Sequence, residues 1–206
     1  MQLLELQYLP PIISFKILLN ETDIGFPLYE RYRKMSFENR AIIPTANGLS
    51  TLSIPLAGGR ETRQIFGEVR IDNTQDWQIR HWRTISSAYR RSPWFEYYEP
   101  ELFALYQTQY EFLYQWNLDL MKWVLRMLKT DTDLRTLASK GADGYSWEVQ
   151  NNLKPSNFQD LKFTQDLPVY AQVFQDRSGF QANVSIIDLL FNEGNKSRSL
   201  LTDAST

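Results

Sequence analysis

Cysteine is absent from the 206 residues. That excludes a disulfide framework, a thiol nucleophile and every thiolate metal site. Histidine is nearly absent too: His81 stands alone, which removes multi-histidine zinc and iron centres. No charge of one sign prevails, since 22 Lys and Arg face 24 Asp and Glu for a net charge of −2. Nucleic-acid-binding domains usually carry a strong basic excess, so none is expected as a partner. Apolar runs are short, and none reaches the roughly 18 to 20 residues that a spanning helix needs. Residues 1–20 lack a basic start and are interrupted by Glu5 and Pro10-Pro11, unlike a signal peptide, so a cytoplasmic location is the expectation. G-x-S-x-G, G-x-G-x-x-G and P-loop motifs are also missing. What the chain does have is aromatic bulk, with 6 Trp, 11 Tyr and 12 Phe, enough for one packed domain.

Pattern along the chain predicts a mixed α/β domain over residues 1–195, followed by a polar, fraying tail over 196–206. Met1–Leu9 reads as a short strand, Ile12–Asn20 as a helix after Pro11, and Asp23–Tyr29 as a second strand. Residues 31–40 read as a loop. Alternating apolar positions at 52, 54 and 56 and again at 65, 69 and 71 predict a hairpin over 49–72. From Gln75 the period becomes helical, with Trp77, His81, Ile85 and Ala88 on one face. Glu99 to Leu128 keeps a helical rhythm with a break expected near Trp116-Asn117. Residues 130–165 read as loops and short helices, Val169–Phe174 as a late strand and Val184–Phe191 as a closing helix. There, Ser185 with Asp188 three positions on has the form of a capping box, and Gly194 sits where a helix-terminating glycine would.

Few constellations carry chemistry. His81 titrates near neutrality in free peptides and reads either as a general base or as a hydrogen-bonded core histidine. Arg80, Arg83, Arg90 and Arg91 lie on the opposite side of its helix. Residues 60–91 carry a surplus of three positive charges and 94–119 a surplus of five negative ones. That asymmetry fits either an arginine-lined anion site or solvated pairing between helices. Arg31, Arg33, Lys34 and Arg40, interleaved with Tyr32 and Phe37, suit a small anion better than a polymer. Asp188, Asn192 and Glu193 are oxygen donors, but capping and helix termination explain them, and no metal motif is assigned.

The order of segments resembles the WbqC-like family. The likeness rests on Gln7-Tyr8-Leu9-Pro10-Pro11, on Ser36-Phe37-Glu38-Asn39-Arg40, and on Asn47-Gly48 before Ile54-Pro55-Leu56. It continues through Trp77–Tyr89 with Ser92-Pro93, Tyr170-Ala171-Gln172 and the run Asn183–Gly194. Many members carry a histidine near the opening strand, where this chain has Leu6-Gln7-Tyr8. The resemblance implies a role in making or decorating surface polysaccharide of the O-antigen type, through a transferase acting on a nucleotide- or phosphate-bearing substrate. On that reading His81 is the acid/base, Arg40, Arg80 and Arg83 hold the anion, and Gln7, Tyr8 and Asn39 line the same crevice. No cofactor is indicated. The competing expectation is a protein-interaction module that uses Trp94, Phe95, Tyr97 and Tyr98 as an aromatic surface.

Overall fold

A computed structural model of the protein describes residues 2–58, 64–139 and 153–202. The chain is a mixed α/β fold, as the sequence predicts. Strand β1 (Gln2–Leu3) leads through helix α1 (Ile12–Leu18) to strand β2 (Asp23–Pro27), and the two strands pair in parallel. Parallel neighbours require a crossover of this kind, and α1 supplies it. Strand β5 (Asp133–Leu137) pairs in parallel with the other side of β2, giving the order β1-β2-β5.

The hairpin is real, but its strands differ from those predicted. β3 (Arg40–Thr45) pairs antiparallel with β4 (Gly48–Ser53), from Arg40 opposite Ser53 to Thr45 opposite Gly48. Gly48, at φ +96°, makes the reversal that a side chain would strain. The alternation at 65–71 has another cause: Phe66, Val69 and Ile71 are buried from irregular backbone around a single 3-10 turn over Phe66–Glu68. That segment makes only isolated bridges, Arg31 with Ile65, Leu56 with Ile71 and Arg70 with Phe112. Gly59 to Arg63, part of the expected connection, lie outside the described residues.

Helix α2 (Trp77–Tyr89) buries Trp77, His81, Ile85 and Ala88, the face predicted by the 3–4 spacing. The long helical stretch divides into α3 (Phe95–Gln107) and α4 (Leu113–Met127). The break falls at 108–112, ahead of the expected Trp116-Asn117. There the backbone leaves the helix to bond with 69–71, with Ile71 N–H donating to Glu111 O and Leu113 N–H to Val69 O, both at 2.9 Å. Trp116 instead sits at the centre of the core, edge-on to Trp77 and Tyr106 at 5.4 and 5.0 Å between centroids. Burying each such ring stabilises by roughly 1.5–3 kcal/mol.

Short helices α5 (Leu161–Thr164) and α6 (Gln175–Ser178) flank a segment that forms no strand, contrary to the expectation for 169–174. Tyr170 and Gln172 do face inward with a period of two, but they reach a carboxylate rather than a neighbouring strand. That carboxylate, Asp188, is the third residue of α7 (Ile186–Glu193), but no capping box forms: Asp188 accepts from Tyr170 and Gln172, and Ser185 makes no side-chain cap and bonds instead to Leu9 O at 2.9 Å. Of the tail expected over 196–206, residues 203–206 lie outside the described residues, and the part before them is ordered. Ser197–Thr202 form α8, and Leu201 is buried in the core. The apolar pair Leu200-Leu201 explains the docking.

Gly194 ends α7 at φ +53°, ψ −121°, and any Cβ there would fall within the Trp94 ring. Gly194→Ala therefore combines backbone strain with overpacking and should cost about 2 kcal/mol or more. Thermal unfolding should register it as a drop of roughly 4–8 °C. An unchanged midpoint would contradict this contact.

Candidate functional site

A cavity of about 250 Å³ opens beyond the carboxyl ends of β1 and β2, where open α/β sheets usually bind ligands. Its polar lining is Glu5, Glu30, Arg31, Arg33 and Glu38, and Pro27 and Phe66 are apolar neighbours in the wall. Glu5 comes two residues after β1, and Glu38 two before β3. Both carboxylates are buried. Two contacts bring the segments together. Tyr8 N–H donates to Phe37 O at 2.8 Å, and the Asn117 amide of α4 donates to Leu6 O and Glu38 O at 3.1 and 2.7 Å.

Arg33 joins the two acids. Its guanidinium donates to Glu5 Oε1 and its backbone N–H to Glu38 Oε2, each at 2.7 Å. Gln7 Nε2 donates to Glu5 Oε2 at 2.8 Å, and Ser14 holds the Gln7 amide from behind at 2.9 Å. Burial raises Glu5, with Arg33 and Gln7 pulling the other way. Burial and the Glu5 charge push Glu38 up to about 8 against the bonds from Arg33 and Ser36. Glu38 therefore keeps its proton at neutral pH, and the Glu5 charge beside it is part of the cause. Beside them Tyr32 donates to Asn39 Oδ1 at 2.9 Å, and burial with the Glu38 charge raises its phenol to about 12.

The residues predicted from sequence fall into three places. Gln7 touches the cavity's Glu5, while Asn39 and Arg40 lie just past Glu38, with Asn39 also bonded to Ile54 O and the Arg40 Nε buried without a partner. Tyr8 and His81 form a second group deeper in the core. The Tyr8 hydroxyl lies 2.9 Å from His81 Nδ1 and 2.6 Å from the Tyr106 hydroxyl. Arg80 and Arg83 are on the exposed face of α2. Arg80 donates to Gln75 at 3.2 Å, and Arg83 borders a groove beside α3. The anion ligands and the histidine are thus not gathered around one centre. Of the proposed aromatic surface, Phe95 and Tyr98 are buried, and only Tyr97 is largely exposed, at 69%.

Glu5 and Glu38 were missed as a pair. Glu5 drew notice only as an interruption of an apolar run, yet an acid inside such a run is the usual trace of a buried, partnered charge. Among the described residues no cluster of acids and histidine is arranged to hold a metal ion, and no helix is long and apolar enough to cross a membrane.

Burial lowers His81 to about 4, opposed by a bond to the Ser53 backbone and reinforced by the Arg80 charge. At pH 7 the ring is therefore neutral, with Nδ1 accepting from Tyr8 and its other N–H directed to Ser53. Because the folded value lies below the free one, this group's contribution to stability is present above about pH 6.5 and lost as pH falls through about 4. With a single histidine the imidazole resonance is unambiguous. Its NMR titration should be flat from pH 6 to 8 with a midpoint of about 4; a midpoint near 6.5 would refute the enclosed setting.

No solved structure matches this chain. An uncharacterised protein of Mycobacterium tuberculosis (strain ATCC 25618 / H37Rv) is 26% identical over 194 residues, covering 82% of this chain and 84% of the relative. The sequence signature of the WbqC-like protein family matches residues 7–156, which span the segment from Gln7 through β5 and include Glu38, His81 and Asn117. The chain belongs to the WbqC-like protein family.

Proposed function

We propose that the protein is a group-transfer enzyme in which the Glu5–Glu38 pair moves the proton. The observation that carries this reading is two buried carboxyls, both held by Arg33, in a cavity at the carboxyl ends of parallel strands. Glu38, raised to about 8, keeps a proton at neutral pH and serves as the acid. Glu5, paired with Arg33 at 2.7 Å, serves as the base. In the transfer an acceptor hydroxyl or amine attacks the donor and gives its proton to Glu5, while the departing group takes the proton of Glu38. The pair ends with its proton on the other member, and exchange with water resets it.

The substrate in this reading bears a nucleotide or phosphate. Arg31, exposed at the cavity's edge, supplies the cation that meets it. The setting in surface-polysaccharide assembly is supported by the family likeness rather than by the cavity. His81 in this reading positions Tyr8, and through it the loop that carries Glu5 and Gln7, instead of exchanging the proton itself.

Two measurements test it. A nucleotide sugar at 100 times its Kd should stabilise the protein by about 2.7 kcal/mol in a thermal-shift screen. Glu38→Gln should retain that shift but lower turnover at least about 100-fold; a flat screen, or unchanged turnover, overturns the proposal. The same variant tests the buried proton. The folded protein keeps it between about pH 4.5 and 8 while the unfolded chain releases it, so stability from this group is complete below about 4.5 and lost as pH rises through about 8. Relative to the parent, Glu38→Gln should therefore gain several degrees in melting temperature at pH 8.5 compared with pH 5. Parallel melting curves would show that Glu38 is an ordinary ionised carboxylate.

A further inference from the structure

The groove between α2 and α3 has a volume of about 560 Å³, within the range of small-molecule sites, and the carboxylate pair does not line it. Its aromatic wall is Trp82 with Phe103, whose ring centroids are 4.9 Å apart and tilted by 37°. Behind Trp82 stand Phe95 and Tyr106 at 6.2 and 5.8 Å, and the Tyr106 hydroxyl is tied to Tyr8, so the platform is fixed by the core. Carboxamides surround it. Gln78 is oriented by donating to Thr108 O at 2.6 Å, and Asn73 by donating to Tyr110 O at 2.8 Å. Gln107 and Gln109 also line the groove, and their side chains bond to no protein group among the described residues. The charged lining, Asp76 and Arg83, is balanced.

We propose that this groove binds a neutral saccharide. An aromatic face attracts the polarised C–H groups on the flat side of a pyranose ring. Each carboxamide offers two donors and an acceptor, the complement of a ring bearing adjacent hydroxyls. A phosphate would find one arginine offset by one aspartate, and Trp82 and Phe103 touch each other rather than leaving a slot to sandwich a base. The inference deepens the group-transfer reading by giving its substrate a sugar, and rests on that reading only for the link to chemistry. Binding itself stands on the groove.

Saturation-transfer NMR with neutral hexose disaccharides, and with uridine and adenosine monophosphates as contrast, provides the test. Disaccharides at about 10 mM should show transfer to their ring C–H protons, and the monophosphates should not compete. Trp82→Phe should retain binding, while Phe103→Ala, an exposed change, should weaken it at least about tenfold. Gln109→Ala should weaken it without changing the melting temperature. Absence of saccharide transfer, indifference to Phe103→Ala and Gln109→Ala, or displacement by a monophosphate each overturns the proposal. If disaccharides fail while a nucleotide sugar still stabilises the protein, the groove inference alone falls. If disaccharides bind and the nucleotide-sugar screen is flat, the groove stands and the group-transfer reading falls.

Discussion

Asn117 is the hinge pin of the architecture. Its side chain, fully buried in α4, gives its two amide hydrogens to the backbone carbonyls of Leu6 and Glu38. Those carbonyls belong to segments with no strand pairing between them, and without the amide each would be a buried acceptor lacking a donor. One side chain thus holds the loop after β1 against the segment before β3, and Glu5 and Glu38 share a cavity as a result. The adjacent bond from Tyr8 N–H to Phe37 O fixes the register of the same contact.

Among the described residues, buried acids occur in two places, with different company. Glu5 and Glu38 sit beside a cavity with an arginine between them. Asp188 has only neutral partners, accepting from the Tyr170 hydroxyl at 2.6 Å and from Gln172 at 2.7 Å, and burial raises it to about 6. An acid held by phenol and amide anchors a segment, here 170–172, to α7. An acid held by a partly exposed arginine next to open space has somewhere to send a proton. The contrast is what favours the first nest as the proposed site of chemistry.

Legibility followed the range over which each cause acts. The α2 face was readable because Trp77, His81, Ile85 and Ala88 repeat along one helix, where the period alone decides burial. Strand β5 was not, because Asp-Leu-Arg-Thr-Leu is a polar edge whose place comes from pairing with β2, more than a hundred positions earlier in the chain. The hairpin partner was misread because buried Phe66, Val69 and Ile71 alternate as a strand would while bonding as a turn. At the candidate site, Glu38 is legible only as part of Ser36–Arg40 and its companion Glu5 only as a flaw in an apolar run. A pair that forms across thirty residues through a third residue's amide leaves no spacing to read.

The clamp between Leu9 and Ser185 sets a further condition. Leu9 takes the left-handed φ of +39°, and its carbonyl accepts from the Ser185 hydroxyl; Ile12 N–H bonds to Val184 O and Ile186 N–H to Pro10 O. These partners are separated by more than 170 positions, so the loop carrying the proposed base takes its final shape only when the 183–186 segment arrives. During synthesis, residues 2–182 would emerge with that loop unfastened, and closure would come as a late, long-range step of the kind that slows folding. A nascent chain stalled short of Ser185 would still have Asn117 to draw Glu5 and Glu38 together, but the turn at Leu9 behind Glu5 would lack its last fastening.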